Sequence, residues 1–338
     1  MKTNTLQSAC LLIVILAIVV SCERKQEPVT FTGFTQGTTF VVRYFGNPDS
    51  SAVAAGIDSV FRLINETASL YDSASIISKI NRNEPVGLNP VFERLFKRSA
   101  EISAETEGTF DITVGPLVKA YGFYRKKQLP VDGSKIDSLR RLVGYTKVAL
   151  KDGRVVKKDP GVMIDFNAIA QGYTVDLVAE FLEGMGLHDY LVEIGGEVRA
   201  SGAKPGGDPW VVGIEQPAPN DSAAQVVQQK LRLDNRSAAT SGNARKFFVR
   251  NGIKYSHTID PQTGSPVHHS LLSVTVLASD CMTADAYATA CMVMGLEKAL
   301  KFINGHPGTD AYFIYSDPSG HLKVQSTPGF SKLCIEKP

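Results

Sequence analysis

With 338 residues, 43% of them hydrophobic, the chain is long enough to bury a substantial core as one unit or as two joined lobes. Lys and Arg number 36 against 34 Asp and Glu, and the first 21 residues contribute only Lys2 to that balance. A near-neutral surface with no run of five like charges excludes the strong basic signature of a nucleic-acid binder, a polybasic membrane patch and an acidic tail.

The chain opens with Met1 and Lys2 and then an uninterrupted apolar run from Ala9 to Val20, followed by Ser21 and Cys22. Such a run suits the core of a signal peptide and is short for a membrane span. The segment Val19-Val20-Ser21-Cys22 resembles a bacterial lipobox, in which the cysteine is acylated and becomes the new first residue. An ordinary cleaved signal and an uncleaved anchor are the competing readings. The preferred division is a leader over 1–21, a polar tether over 22–30 lipidated at Cys22, and one catalytic unit over 31–338. Besides Cys10 and Cys22, three cysteines remain, at 281, 291 and 334, spaced as neither a disulfide framework nor a zinc site.

Alternation predicts a strand over Gly33–Tyr44, broken at Gln36-Gly37-Thr38, and apolar spacing predicts a helix over Ala52–Tyr71. A second helix is expected over Asn89–Glu107, with Asn89-Pro90 as cap and first position and Gly108 as its stop. Ser134–Leu142 reads as a short helix, and Lys147–Ala149 with Arg154–Val156 as a hairpin over Asp152-Gly153. A helix over Ala168–Met185 precedes strands at Tyr190–Ile194 and Glu197–Ser201, which Gly195-Gly196 joins as a hairpin. Further strands are predicted at Trp210–Glu215, Lys230–Asp234, Lys246–Arg250, Lys254–Thr258 and Leu272–Leu277. Helices over Thr283–Met294, capped by Thr283, and Leu296–Asn304 follow, with strands at Ala311–Tyr315 and Leu322–Gln325 closing the chain. Long helices among hairpin-connected strands indicate an α+β fold with mixed or antiparallel sheets.

No Gly-x-Gly-x-x-Gly follows a strand, and the P-loop, His-Glu-x-x-His and Gly-x-Ser-x-Gly patterns are absent. Chemistry-bearing residues fall instead into four separated clusters. The first runs from Gly108 through Thr109, Phe110, Asp111 and Thr113 to Leu117, followed by Tyr121-Gly122-Phe123; Asp111 and Thr113 suit either a turn or a site. The second, Asp165-Phe166-Asn167-Ala168-Ile169-Ala170-Gln171-Gly172-Tyr173, puts a carboxylate and two amides at a helix start, where they can serve the helix or hold phosphate or an ion. The third comprises Thr240-Ser241-Gly242 and His257-Thr258-Ile259-Asp260-Pro261-Gln262-Thr263-Gly264, in which His257 is either a strand-end residue or a general base. In the fourth, Asp285 and Thr289 share a helix face at i, i+4 spacing. They read as a cap-and-core pair or as cation ligands, and a cation would offset the cost of a carboxylate in so apolar a segment. Oxygen donors and phosphate chemistry point to Mg²⁺.

Together these clusters, behind a lipobox, resemble the FAD:protein FMN transferases of the ApbE type, over roughly residues 35–329. The resemblance implies an α+β, T-fold-like, two-lobed catalytic unit that moves FMN from FAD to a Thr or Ser of flavin-carrying subunits of membrane electron-transport complexes. It implies FAD contacts at Gln36, Tyr71, Thr109, Phe110, Asp111, Asp165, Gln171 and Ile259. It places Mg²⁺ on the stretches holding Ala168, Asp285, Ala288 and Thr289, with Ala168 contributing its carbonyl. Gln36 stands where the family commonly has Met, and Gln171 where it frequently has Lys, so a positive charge is missing beside the pyrophosphate. His257 is the expected base, and a lipid anchor in the bacterial cell envelope, facing the periplasm or exterior, is the expected location. A Mg²⁺-dependent FAD pyrophosphatase and a non-catalytic flavin-binding lipoprotein are the alternatives.

Overall fold

The computed structural model describes residues 27–125, 133–217, 226–242, 247–250, 253–256 and 258–335. The lipobox with Cys22, and His257, lie outside the described residues.

The expected interrupted strand is a hairpin, β1 (Val29–Thr35) and β2 (Thr38–Tyr44), paired from Thr35 opposite Thr38 to Val29 opposite Tyr44. Gln36 (φ 49°) and Gly37 (φ 80°) form the turn, both in the left-handed region that matches strand twist. The sheet therefore begins at Val29, and the last two residues read as tether already belong to it. Helices α1 (Ser50–Ala68), α2 (Ile76–Asn81) and α3 (Pro90–Glu105) follow. Asn89 caps α3 by accepting the Phe92 N–H at 2.8 Å, and Pro90 occupies the first turn, where its missing N–H costs nothing.

Next come α4 (Gly115–Ala120), α5 (Gly133–Arg140), the hairpin β3 (Val148–Lys151) with β4 (Arg154–Lys157), and α6 (Ala170–Gly184). Strands β5 (Tyr190–Ile194) and β6 (Glu197–Ser201) pair across the Gly195-Gly196 turn as expected. They are followed by β7 (Trp210–Glu215), β8 (Val227–Leu233), β9 (Ser237–Gly242), β10 (Phe247–Arg250), β11 (Ile253–Ser256) and β12 (Leu271–Ala278). The chain closes with α7 (Cys281–Met294), α8 (Leu296–Asn304), β13 (Asp310–Ser316), β14 (Leu322–Ser326), α9 (Pro328–Ser331) and β15 (Cys334–Ile335). Helix α7 starts two residues before the predicted Thr283, because Asp280 is its cap and accepts the Thr283 N–H at 2.8 Å.

Eight strands form one sheet in the order β1-β2-β5-β6-β9-β12-β13-β14, with antiparallel neighbours. Side-chain alternation gives it two apolar faces. On one, Val192 and Val276 meet the helices; on the other, Leu191 and Leu277 meet the small sheet β15-β8-β7 through Trp210, Leu231 and Leu233, together with Phe330 of α9. The fold is thus mixed α and β with antiparallel sheets, as predicted. Helix α6 buries Val175, Val178 and Leu182 completely, each contributing about 1.5–3 kcal/mol of transfer free energy. Helix α7 is buried along nearly its whole length, against α6, β9, β12 and α8.

Candidate active site

The site is built around the N-terminal end of α6 (Ala170–Gly184) and the turn before it. Asp165 is buried, and its backbone N–H donates to the Ile112 carbonyl at 2.7 Å, which joins the first and second clusters. One oxygen of its carboxylate accepts the Asn167 N–H at 2.7 Å and the other the Tyr124 hydroxyl at 2.6 Å. Burial pushes the Asp165 carboxyl above its usual range, and the Tyr124 hydrogen bond opposes that rise. Burial and then the charge of Asp165 raise both Tyr124 and the exposed Tyr71, so the two phenols share one electrostatic neighbourhood.

Asp111 accepts the N–H (2.7 Å) and hydroxyl (2.6 Å) of Thr113 on one oxygen and the Tyr145 N–H (2.7 Å) on the other. It organises the turn, and burial raises its carboxyl despite these bonds. Thr109 donates its hydroxyl back to the Thr106 carbonyl at 2.9 Å, and Phe110, only 3% exposed, belongs to the main core. The third cluster packs here as well: Tyr121 donates to the Gly264 carbonyl at 3.1 Å, and Ile259 joins Leu117 and Val143 in a small core. Thr240 on β9 and Thr275 on β12 share a hydroxyl hydrogen bond of 2.8 Å.

Two glutamines come to the start of α6. Gln36 donates its amide to the Thr174 hydroxyl at 2.6 Å. Gln171 donates to the Ile194 carbonyl at 2.8 Å and to the Glu197 carboxylate, which places its neutral amide against the Gly195-Gly196 turn.

The fourth cluster arrives on α7. Gly172 is the third residue of α6, one of the helix-start N–H groups that have no carbonyl partner within the helix. It donates to Asp285 Oδ2 at 3.0 Å. The neighbouring N–H groups of Ile169 and Ala170 both go to the Phe166 carbonyl, and that of Tyr173 goes to Ile169. Among the described residues no N–H donates to the Ala168 carbonyl. Asp285 is 8% exposed and Thr289, one turn on, is half-buried. Ala288 is buried, so only its backbone can offer an oxygen. Among the described residues no three His, Cys, Asp or Glu side chains cluster for a metal. A cation here would be held by one carboxylate, a hydroxyl and carbonyl oxygens, a hard donor set that suits Mg²⁺.

The ApbE family model matches residues 36–313, a span that takes in all four clusters. The chain belongs to the ApbE family. It is 35% identical over 294 residues to the FAD:protein FMN transferase of Vibrio cholerae, covering 84% of this chain and 87% of that one. To the Haemophilus influenzae FAD:protein FMN transferase it is 32% identical over 333 residues, covering 94% and 95%. The solved structure of the Vibrio cholerae flavin transferase ApbE superposes with a TM-score of 0.81 at 32% identity, covering 91% of this chain and 99% of that one.

Three residues beside the ApbE-type clusters escape sequence reading: Tyr124, Glu197 and Asp176. Tyr124 sits just past the Tyr121-Gly122-Phe123 segment and holds Asp165. Glu197 reads only as the first residue of a strand, yet it is buried on Gln171. Asp176 is fully buried on α6. Its one signal is an acid inside the apolar run Val175-Asp176-Leu177-Val178, the same kind of signal that marks Asp285.

Proposed function

We propose that this chain transfers the FMN half of FAD to a Thr or Ser hydroxyl of an acceptor flavoprotein, with Mg²⁺ held by Asp285, Thr289 and the Ala168 carbonyl. The observation that carries this reading is the hydrogen bond from the Gly172 N–H to Asp285, which brings a carboxylate of α7 to the start of α6, beside the second cluster. Family membership supplies the reaction class, since the relatives named above are FAD:protein FMN transferases. Bound Mg²⁺ supplies Lewis-acid withdrawal of charge from the phosphorus and the departing oxygen.

The chain's own groups do the rest. Gln36, Tyr71, Asp165 and Gln171 converge on one helix end and orient the dinucleotide, with Thr109, Phe110, Asp111 and Ile259 shaping the adjoining loops. The acceptor oxygen attacks the phosphorus of the FMN half, the P–O bond to the AMP half breaks, and AMP leaves. The acceptor's proton passes to His257, the candidate general base. The proposed acceptors are flavin-carrying subunits of membrane electron-transport complexes, reached from a lipid anchor at Cys22 in the cell envelope.

Mass spectrometry of an acceptor domain incubated with FAD and Mg²⁺ tests the reading. The expected result is a gain equal to FMN on a Thr or Ser, equimolar with AMP. Asp285→Asn should lower the rate on the order of a hundredfold, and His257→Ala should abolish transfer while FAD still binds. FMN and AMP released without acceptor modification would convert the reading to a pyrophosphatase, and intact FAD would reduce it to a binding protein.

A further inference from the structure

Asp176 projects from α6 onto the first turn of α7. One of its oxygens accepts the Cys281 N–H at 2.9 Å and the other the Met282 N–H at 2.8 Å. Arg199 on β6 donates to the first of these oxygens at 3.0 Å and to Glu183 at 3.2 Å. Helix α7 already has a local cap in Asp280, so Asp176 takes up two end amides that the cap leaves over. Asp285 makes the opposite connection, from α7 to the Gly172 N–H of α6. Each helix start is therefore held by a carboxylate of the other helix. Between them there is no room: a Cβ on Gly172 would lie 2.3 Å from the Cys281 carbonyl oxygen and 2.8 Å from Asp285 Cβ.

We propose that Asp176, backed by Arg199, is a positioning residue for the metal ligands, fixing the start of α7 against α6 so that Asp285 meets Gly172 and the Ala168 carbonyl stays open. The inference rests on the metal reading given above. Asp285 lies one turn beyond the two amides that Asp176 grips, so a shift of that turn moves the carboxylate directly. Groups that hold a ligand in place without touching the ion commonly change metal affinity by about 10–100-fold when removed.

The experiment is a Mn²⁺ titration followed by electron paramagnetic resonance, with FAD in excess, on the full chain and four variants. Wild type should bind and Asp285→Asn should lose binding. Asp176→Asn and Arg199→Gln should bind Mn²⁺ about tenfold more weakly, while their metal-free affinity for FAD moves by less than about twofold. Arg236→Gln, which removes a 2.7 Å ion pair to Asp310 outside the site, should lower the melting temperature and leave Mn²⁺ affinity unchanged, separating positioning from general destabilisation. Folded Asp176→Asn and Arg199→Gln proteins with wild-type Mn²⁺ affinity would overturn the inference. Asp285→Asn binding like wild type would overturn the metal reading itself. If Asp176→Asn fails to fold, Arg199→Gln, which keeps both Asp176–amide bonds, decides alone.

Discussion

Asp176 keeps its charge against the tendency of its surroundings. Burial raises its pKa from 3.8 to about 6, with the Cys281 and Met282 amides and Arg199 pulling the other way. Between those two values the folded chain binds more protons at this position than the unfolded chain, so the carboxyl's contribution to stability is present below about pH 4 and is lost as pH rises to about 6. Urea denaturation across pH 4–7 should therefore show Asp176→Asn gaining on wild type up to about pH 6 and holding a constant difference above it. A buried carboxylate, paired with the half-buried Arg199, is retained here for geometry at some expense in stability. Gly172 is constrained by shape instead. Gly172→Ala must displace either the Cys281 carbonyl or Asp285, with an expected cost of about 1–3 kcal/mol in urea unfolding and a larger loss of transferase activity than its lowered stability explains. Asp285 stood out in the sequence as an acid inside an apolar helix, and it is the residue that accepts the Gly172 N–H. Asp176 carried the same kind of signal, an acid in an apolar run, but nothing local names the α7 amides that it holds.

At the scale of elements, the long helices and the Gly195-Gly196 hairpin were legible because each carries its own local signals: the Asn89-Pro90 cap, and two glycines that adopt positive φ. Strand β9 was not. Its sequence, Ser-Ala-Ala-Thr-Ser-Gly, has almost no β-branched residues, and its small side chains make sense only from the far side of the contact. Ala239 packs with Ala278 and Ala284, which lets α7 lie close on the sheet. Ala239→Val should push α7 outward, cost about 1–3 kcal/mol in thermal or urea unfolding, and weaken Mg²⁺ activation, because α7 carries Asp285. The short helices α2 and α4 were missed because six residues are too few to display a helical period.

Across the whole molecule, the packing of distant segments brings Gln36 and Asp285 to the first turns of α6, and no local pattern encodes that convergence. The hydrogen bond from the Gly172 N–H to Asp285, which ties the second cluster to the fourth, is visible only in three dimensions. Among the described residues no helix is long and apolar enough to cross a membrane. The proposed lipid anchor at Cys22 makes a separate prediction: Cys22→Ala should move the protein from the membrane fraction to the soluble fraction without altering transfer by the purified enzyme. The mutual grip of α6 and α7 also has a kinetic consequence. The backbone protons of Gly172, Cys281 and Met282 are each shielded by a carboxylate on the opposite helix, so none can meet solvent deuterium until the two helices separate. All three should exchange on one shared clock, far slower than a fraying helix tip.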